Sequence, residues 1–156
     1  MTLFLPLALA LLGTGAAPAE RIEMTTKSWG RPMSDWSIDA RGYGTYTRPE
    51  PGVFQAKRLV TRRFSAGRAG FARIEKLVAG GRRFVGYALP CDHRATDMPY
   101  GTLRWTGAPA GEVRFDAGCQ HPESAALIAA FERADKQVAA WAAKGKIVET
   151  RNVEKQ

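Results

Sequence analysis

Residues 122–145 read PESAALIAAFERADKQVAAWAAKG, and this stretch decides the fold class. Leu127, Phe131, Ala134, Val138 and Trp141 recur at intervals of four, three, four and three, the spacing that lines one face of an α-helix. Pro122 suits a first helical position. Glu123 puts negative charge at the positive end of the helix dipole, and Gly145 stops the run. The spacing predicts a helix over 123–144 with one apolar stripe. A single stripe must be buried against another layer, which the rest of the chain has to supply.

Upstream, that layer is written in period two. Trp36, Ile38 and Ala40 alternate with Ser37, Asp39 and Arg41. Gly42 and Gly44 weaken the run and suggest a bulge. Arg48-Pro49-Glu50-Pro51-Gly52 reads as a turn, and a second strand follows over 53–64. Phe84, Val85, Tyr87 and Leu89 make 83–90 read as a strand leading into Cys91. Thr102–Trp105 and Glu112–Asp116 read as a hairpin about the turn Gly107–Gly111. Residues 66–79 admit two readings. Gly80-Gly81 before Arg82 and Phe84 would make 71–79 a strand entering a hairpin. Phe71, Ile74, Leu77 and Val78 instead line one helical face, with Arg68, Arg73 and Lys76 opposite. Ser65 serves as N-cap and Gly80 as C-cap. The helix sorts the side chains and the strand does not, so a helix is expected. The sum is an α+β fold: a mostly antiparallel sheet of about five strands, with a short helix and a long C-terminal helix on one face.

The N-terminus sets the compartment. Residues 3–19 carry no charged side chain, Leu3–Leu12 is apolar, and Ala17-Pro18-Ala19 precedes Glu20 as a small-x-small cleavage pattern. The apolar run falls short of the roughly 20 residues that cross a bilayer. Residues 1–19 are therefore predicted to be a cleaved signal peptide and the protein to be exported, periplasmic or secreted. Residues 20–34 read as a loose lead-in and 35–156 as a single domain. No later segment is long and apolar enough to span a membrane.

Two cysteines, Cys91 and Cys119, enclose 27 residues. In an oxidising compartment a lone pair is expected to bond. The chain-entropy argument gives such a loop about 3–4 kcal/mol. Cys91-Asp92-His93 and Cys119-Gln120-His121 repeat one pattern and hold both histidines of the chain, so the alternative is a metal set of Cys91, His93, Cys119 and His121.

The net charge of +8 resides in one window. Residues 57–83 hold Lys57, Arg58, Arg62, Arg63, Arg68, Arg73, Lys76, Arg82 and Arg83 against Glu75 alone, and the remainder balances. Such a cluster attracts polyanions. For an exported protein these are anionic lipid, lipopolysaccharide, an acidic wall polymer or an acidic protein; nucleic acid is not expected. The plain alternative is a solvated basic surface. No Gly-x-Ser-x-Gly elbow or phosphate loop occurs, so neither a catalytic set nor a cofactor is expected. Trp29 is a binding residue if the fold leaves it exposed, and a packing residue otherwise.

The run from Ser65 to Cys119 adds a resemblance. Its short helix, its strand into Cys91, Thr96-Asp97-Met98-Pro99-Tyr100-Gly101, Leu103-Arg104-Trp105 and Phe115-Asp116-Ala117-Gly118-Cys119 resemble small exported proteobacterial proteins of unknown function. The resemblance covers a third of the chain and implies no activity or site. The function expected is that of an exported non-enzymatic protein binding an anionic partner through 57–83. The alternatives are the metal protein or a hydrolase without a recognisable motif.

Overall fold

Alternation starts earlier than the tryptophan at 36. In the computed structural model, which describes residues 20–52 and 56–153, β1 (Arg21–Ser28) turns Ile22 and Met24 to one face and Glu23, Thr25 and Lys27 to the other. β2 (Arg31–Asp39) continues the pattern with Ser34, Trp36 and Ile38 buried. The stretch 20–34 is thus no lead-in: β1 is an interior strand, paired with β2 on one side and β6 (Tyr100–Thr106) on the other. Its outward threonines and charges hid the two apolar positions that dock it. The signal-peptide reading of 1–19 lies outside the described residues.

β3 (Tyr43–Pro49) and β4 (Arg58–Ser65) complete an antiparallel meander. No bulge marks the glycines near 42. Gly42 has φ +85° and makes the turn between β2 and β3. Gly44 lies in register opposite Phe64, whose ring occupies the space a side chain at 44 would need. Cross-strand aromatic cover of this kind compensates a strand glycine.

From β4 the chain enters α1 (Gly67–Val78), the helix expected over 66–79. Its N-cap is Ala66, without a side-chain cap, rather than Ser65. Its C-terminus tightens into a 3-10 turn over Ala79–Phe84 rather than stopping at Gly80. Residues 83–90 are not a strand. Gly81 sits where a Cβ would meet the Phe131 and Trp105 rings, so the turn is pressed onto the core. Beyond it the chain runs irregularly past β7 (Gly111–Asp116), with Val85 packed over Gly111. Between these lie β5 (His93–Arg94) and the strand of the 100–116 hairpin, β6, which pairs with β7 as its pattern predicts. β8 (Cys119–Gln120) pairs with β5 in a separate two-stranded ribbon.

The long helix α2 (Pro122–Ala143) follows, and β9 (Lys146–Asn152) adds to β4. The main sheet has seven antiparallel strands in the order β7-β6-β1-β2-β3-β4-β9, more than the five expected. β1 and β9 are additions, the run from Trp36 divides at Gly42 into β2 and β3, and the expected strand at 83–90 is lost. α1 carries the chain from the β4 side to the β6–β7 side, and α2 carries it back. Both crossings pass over the same face, and that geometry makes one core. Phe71, Ile74 and Val78 of α1 and Leu127, Phe131 and Val138 of α2 pack with Ile22, Trp36, Ile38, Leu103 and Trp105 beneath them. The other face of the sheet is open and carries Thr25, Ser37, Thr45, Thr47, Arg63, Thr102 and Arg104. Among the described residues no helix is long and apolar enough to cross a membrane.

Cys91 and Cys119 are bonded, with Cα atoms 5.3 Å apart. The bond ties the irregular passage after α1 to β8 at the entrance of α2. Intact-mass analysis after alkylation should therefore find two modifiable thiols only when the protein has been reduced first. Two labelled thiols in unreduced material would contradict the bond.

Candidate functional site

The cations of 57–83 do not form one surface. A strand sends successive residues to opposite faces, and β4 runs straight into a helix on only one of them. Arg62 therefore points to the helix side and donates to the Gly145 carbonyl at 2.8 Å. Arg63 points to the open face, opposite Thr45. Arg68, Arg73 and Lys76 are exposed on α1, across the sheet from Arg63. Arg58 is engaged by both carboxylate oxygens of Glu50 at 2.6 and 3.0 Å. Arg82 stacks 4.8 Å above the Trp105 ring and donates to the Pro109 carbonyl at 3.0 Å. Arg83 pairs with Glu123 at 2.6 Å. The window is one block in sequence and at least three places in space.

The repeated Cys-x-His pattern does not assemble a metal set. The two sulfurs are bonded to each other. β5 and β8 run antiparallel with His93 opposite Gln120, so His121 falls one position out of step and projects to the other side of the ribbon. His93 is exposed, and His121 caps α2, its Nδ1 accepting from the Glu123 amide at 3.2 Å. Among the described residues no three His, Cys, Asp or Glu side chains are grouped to hold a metal.

A different cationic place emerges at the β1–β2 hairpin. Its two turn residues, Trp29 and Gly30, have φ of 51° and 72°, a pair of left-handed positions that two-residue hairpins normally fill with Asn-Gly. The tight turn pushes the indole out: Trp29 is 74% exposed. Gly30 donates its amide to the Tyr100 hydroxyl at 3.2 Å, which anchors the turn to β6. Beside Trp29 lies a cleft of about 860 Å³ with Arg31, Lys57 and Arg151 at its walls and Pro32 and Leu59 in its floor. No carboxylate lines it, and none of the three cations makes an ion pair among the described residues. Arg151 and Lys27 do act through space on Asp35. Burial raises the Asp35 carboxyl, Glu23 adds to the rise, and those two cations only partly oppose it. A groove along β7 is different in kind: its Arg94 and Arg114 are offset by Asp116 at 3.4 Å and Glu112 at 3.5 Å.

On the helix side, a carboxylate sits where the apolar stripe should be. Asp135 lies seven residues from both Ile128 and Ala142, in the same row of α2, and so faces the sheet. Its Oδ1 accepts from Ser34 Oγ at 2.8 Å and from Trp36 Nε1 at 3.1 Å, and its Oδ2 accepts from the Tyr46 hydroxyl at 3.4 Å. Burial raises the Asp135 carboxyl above the usual range, although these three bonds pull it down. Burial first, and the Asp135 charge second, push the Tyr46 phenol up to about 12, so it remains a donor. This network is legible in principle, because an acid spaced by seven from two apolar positions is turned towards the sheet.

No family model matches the chain. Nor does a curated protein or a solved structure match it significantly.

Proposed function

We propose that the protein is an exported, non-enzymatic binding domain for an anionic amphiphile bearing phosphate, a lipid headgroup or a lipopolysaccharide, taken at the Trp29 cleft. The observation that carries the reading is an exposed indole beside three cations, with no carboxylate among the described residues that line the cleft. A tryptophan in a left-handed turn is a backbone outlier, and such outliers concentrate at sites where the side chain's position matters. Indoles settle at the boundary between water and an apolar phase, and Arg and Lys beside them add attraction to phosphate. The exposed cations of α1, Arg68, Arg73 and Lys76, are the competing surface, but among the described residues none of them stacks on an aromatic ring.

The test is sedimentation with vesicles of phosphatidylglycerol in phosphatidylcholine, and separately with lipopolysaccharide. Binding should be strong at about 0.1 M salt and fall at about 1 M, as the screening length shrinks from about 10 Å to about 3 Å. Changing Arg31, Lys57 and Arg151 together to Gln should abolish it, and Trp29→Ala should weaken it. The triple change Arg68, Arg73 and Lys76 to Gln should leave most of it. Loss only with the α1 variant moves the site to that helix, and absence of binding at low salt overturns the reading.

A further inference from the structure

We propose that the cleft between α2 and the Met24–Met33 end of the sheet binds a small zwitterion with an apolar body, a hydrophobic α-amino acid. This site is separate from the Trp29 cleft and does not depend on the reading given for it.

The cleft measures about 340 Å³, at the small end of the range in which proteins hold small molecules. Met24, Phe115, Ile128 and Phe131 give it an apolar interior. Asp135 and Tyr46 line it from opposite elements, α2 and β3. A carboxylate oxygen accepts two hydrogen bonds. Oδ1 of Asp135 has both, from Ser34 and Trp36, whereas among the described residues Oδ2 has only the long bond from Tyr46. Oδ2 therefore retains capacity for one more donor. An ammonium fills it and supplies the countercharge that burial denies the carboxylate.

The charges around the cleft select further. Arg48 stands on β3, and Glu132, Asp135 and Lys136 stand on α2, so the lining is balanced overall and holds both signs. A plain amine would meet Arg48 and Lys136 unrelieved, and a plain acid would meet Asp135 and Glu132. A molecule that carries both signs on two groups of one carbon, with an alkyl or aryl group beyond them, offers each lining group its complement.

L-leucine, L-methionine and L-phenylalanine are the probes, with isoamylamine and 4-methylpentanoate as the single-charge analogues of leucine. Amide chemical-shift titration of the purified protein should show shifts gathered around Ser34, Tyr46, Arg48 and Asp135 with at least one of the amino acids. Each leucine analogue should bind about tenfold more weakly than leucine, a loss of about 1.4 kcal/mol. Asp135→Asn should weaken the amino acid by about the same factor, and Arg48→Gln should do likewise. Met33→Trp, at an exposed position on the rim, should block the cleft without disturbing the Asp135 network, and it serves if Asp135→Asn fails to fold. The assignment is overturned if none of the three amino acids binds. It is equally overturned if isoamylamine or 4-methylpentanoate matches leucine, or if binding survives Met33→Trp unchanged.

Discussion

Replacing Phe131 with alanine is expected to destabilise the protein by about 3–5 kcal/mol. Phe131 is 1% exposed at the middle of α2. Its ring packs edge-on to Phe115, with centroids 5.5 Å apart, which couples α2 to β7. The 3-10 turn after α1 reaches it as well, since a Cβ on Gly81 would lie 2.9 Å from Cζ of Phe131. Three chain segments thus close on one side chain, and the space left by truncation cannot collapse without moving one of them. Arg133, two residues on, is exposed and makes no ion pair among the described residues. Arg133→Ala should stay within about 0.5 kcal/mol of wild type. Urea melts of the two variants give the comparison. Equal shifts in midpoint would mean that α2 is not docked through this stripe.

The same contrast explains what the sequence disclosed and what it withheld. α2 was legible because Leu127, Phe131, Ala134 and Val138 are apolar at helical spacing and are buried where that spacing puts them. Trp141 kept its place in the stripe but is only half-buried, its ring 6.0 Å from Phe64 at the end of the core. β1 was hidden because its docking rests on Ile22 and Met24 alone. Their neighbours Thr25, Thr26 and Lys27 look like those of a loop. β9 gave no signal because every residue in it is exposed: it is held to β4 by backbone pairing, which side-chain periodicity does not report. The run 83–90 misled in the opposite sense. Phe84, Val85 and Leu89 are apolar because they pack against the outside of the core, not because they alternate within a sheet. For the candidate sites, the charge count found a real excess but not its location, since adjacent arginines of β4 part to opposite faces. Trp29 was conditional on exposure, and the hairpin turn supplies that exposure. Asp135 was overlooked because a carboxylate in a helix is ordinarily assigned to the solvent side.

Asp135→Ala is expected to cost about 2–5 kcal/mol, because it leaves two buried donors without an acceptor, each worth about 1–3 kcal/mol. Trp36 is 1% exposed and Ser34 is 5% exposed, so both donors are held away from bulk water in the folded protein. Asp135→Asn retains one acceptor oxygen for Ser34 and Trp36 and should cost less than Ala. The two variants also separate by pH. Burial raises the folded-state value of Asp135, Glu132 adds to the rise, and Ser34, Trp36 and Tyr46 oppose it without prevailing. A raised folded value means that the folded protein holds this proton more tightly than the unfolded chain does. The contribution is then fully present below the unfolded value and is lost as pH rises through the folded one. Asp35, though exposed, is raised too, chiefly by partial desolvation, and acts in the same direction, so the wild-type curve alone mixes the two groups. The difference between wild type and Asp135→Asn isolates Asp135. Measured by urea denaturation from acid to neutral pH, that difference should move against the wild type from the usual carboxylate range upward and level off once Asp135 is ionised in the folded state. A difference that is flat across this range, or that moves in favour of the wild type, would show that the three hydrogen bonds outweigh burial and that Asp135 sits in the fold as an ordinary ionised acid.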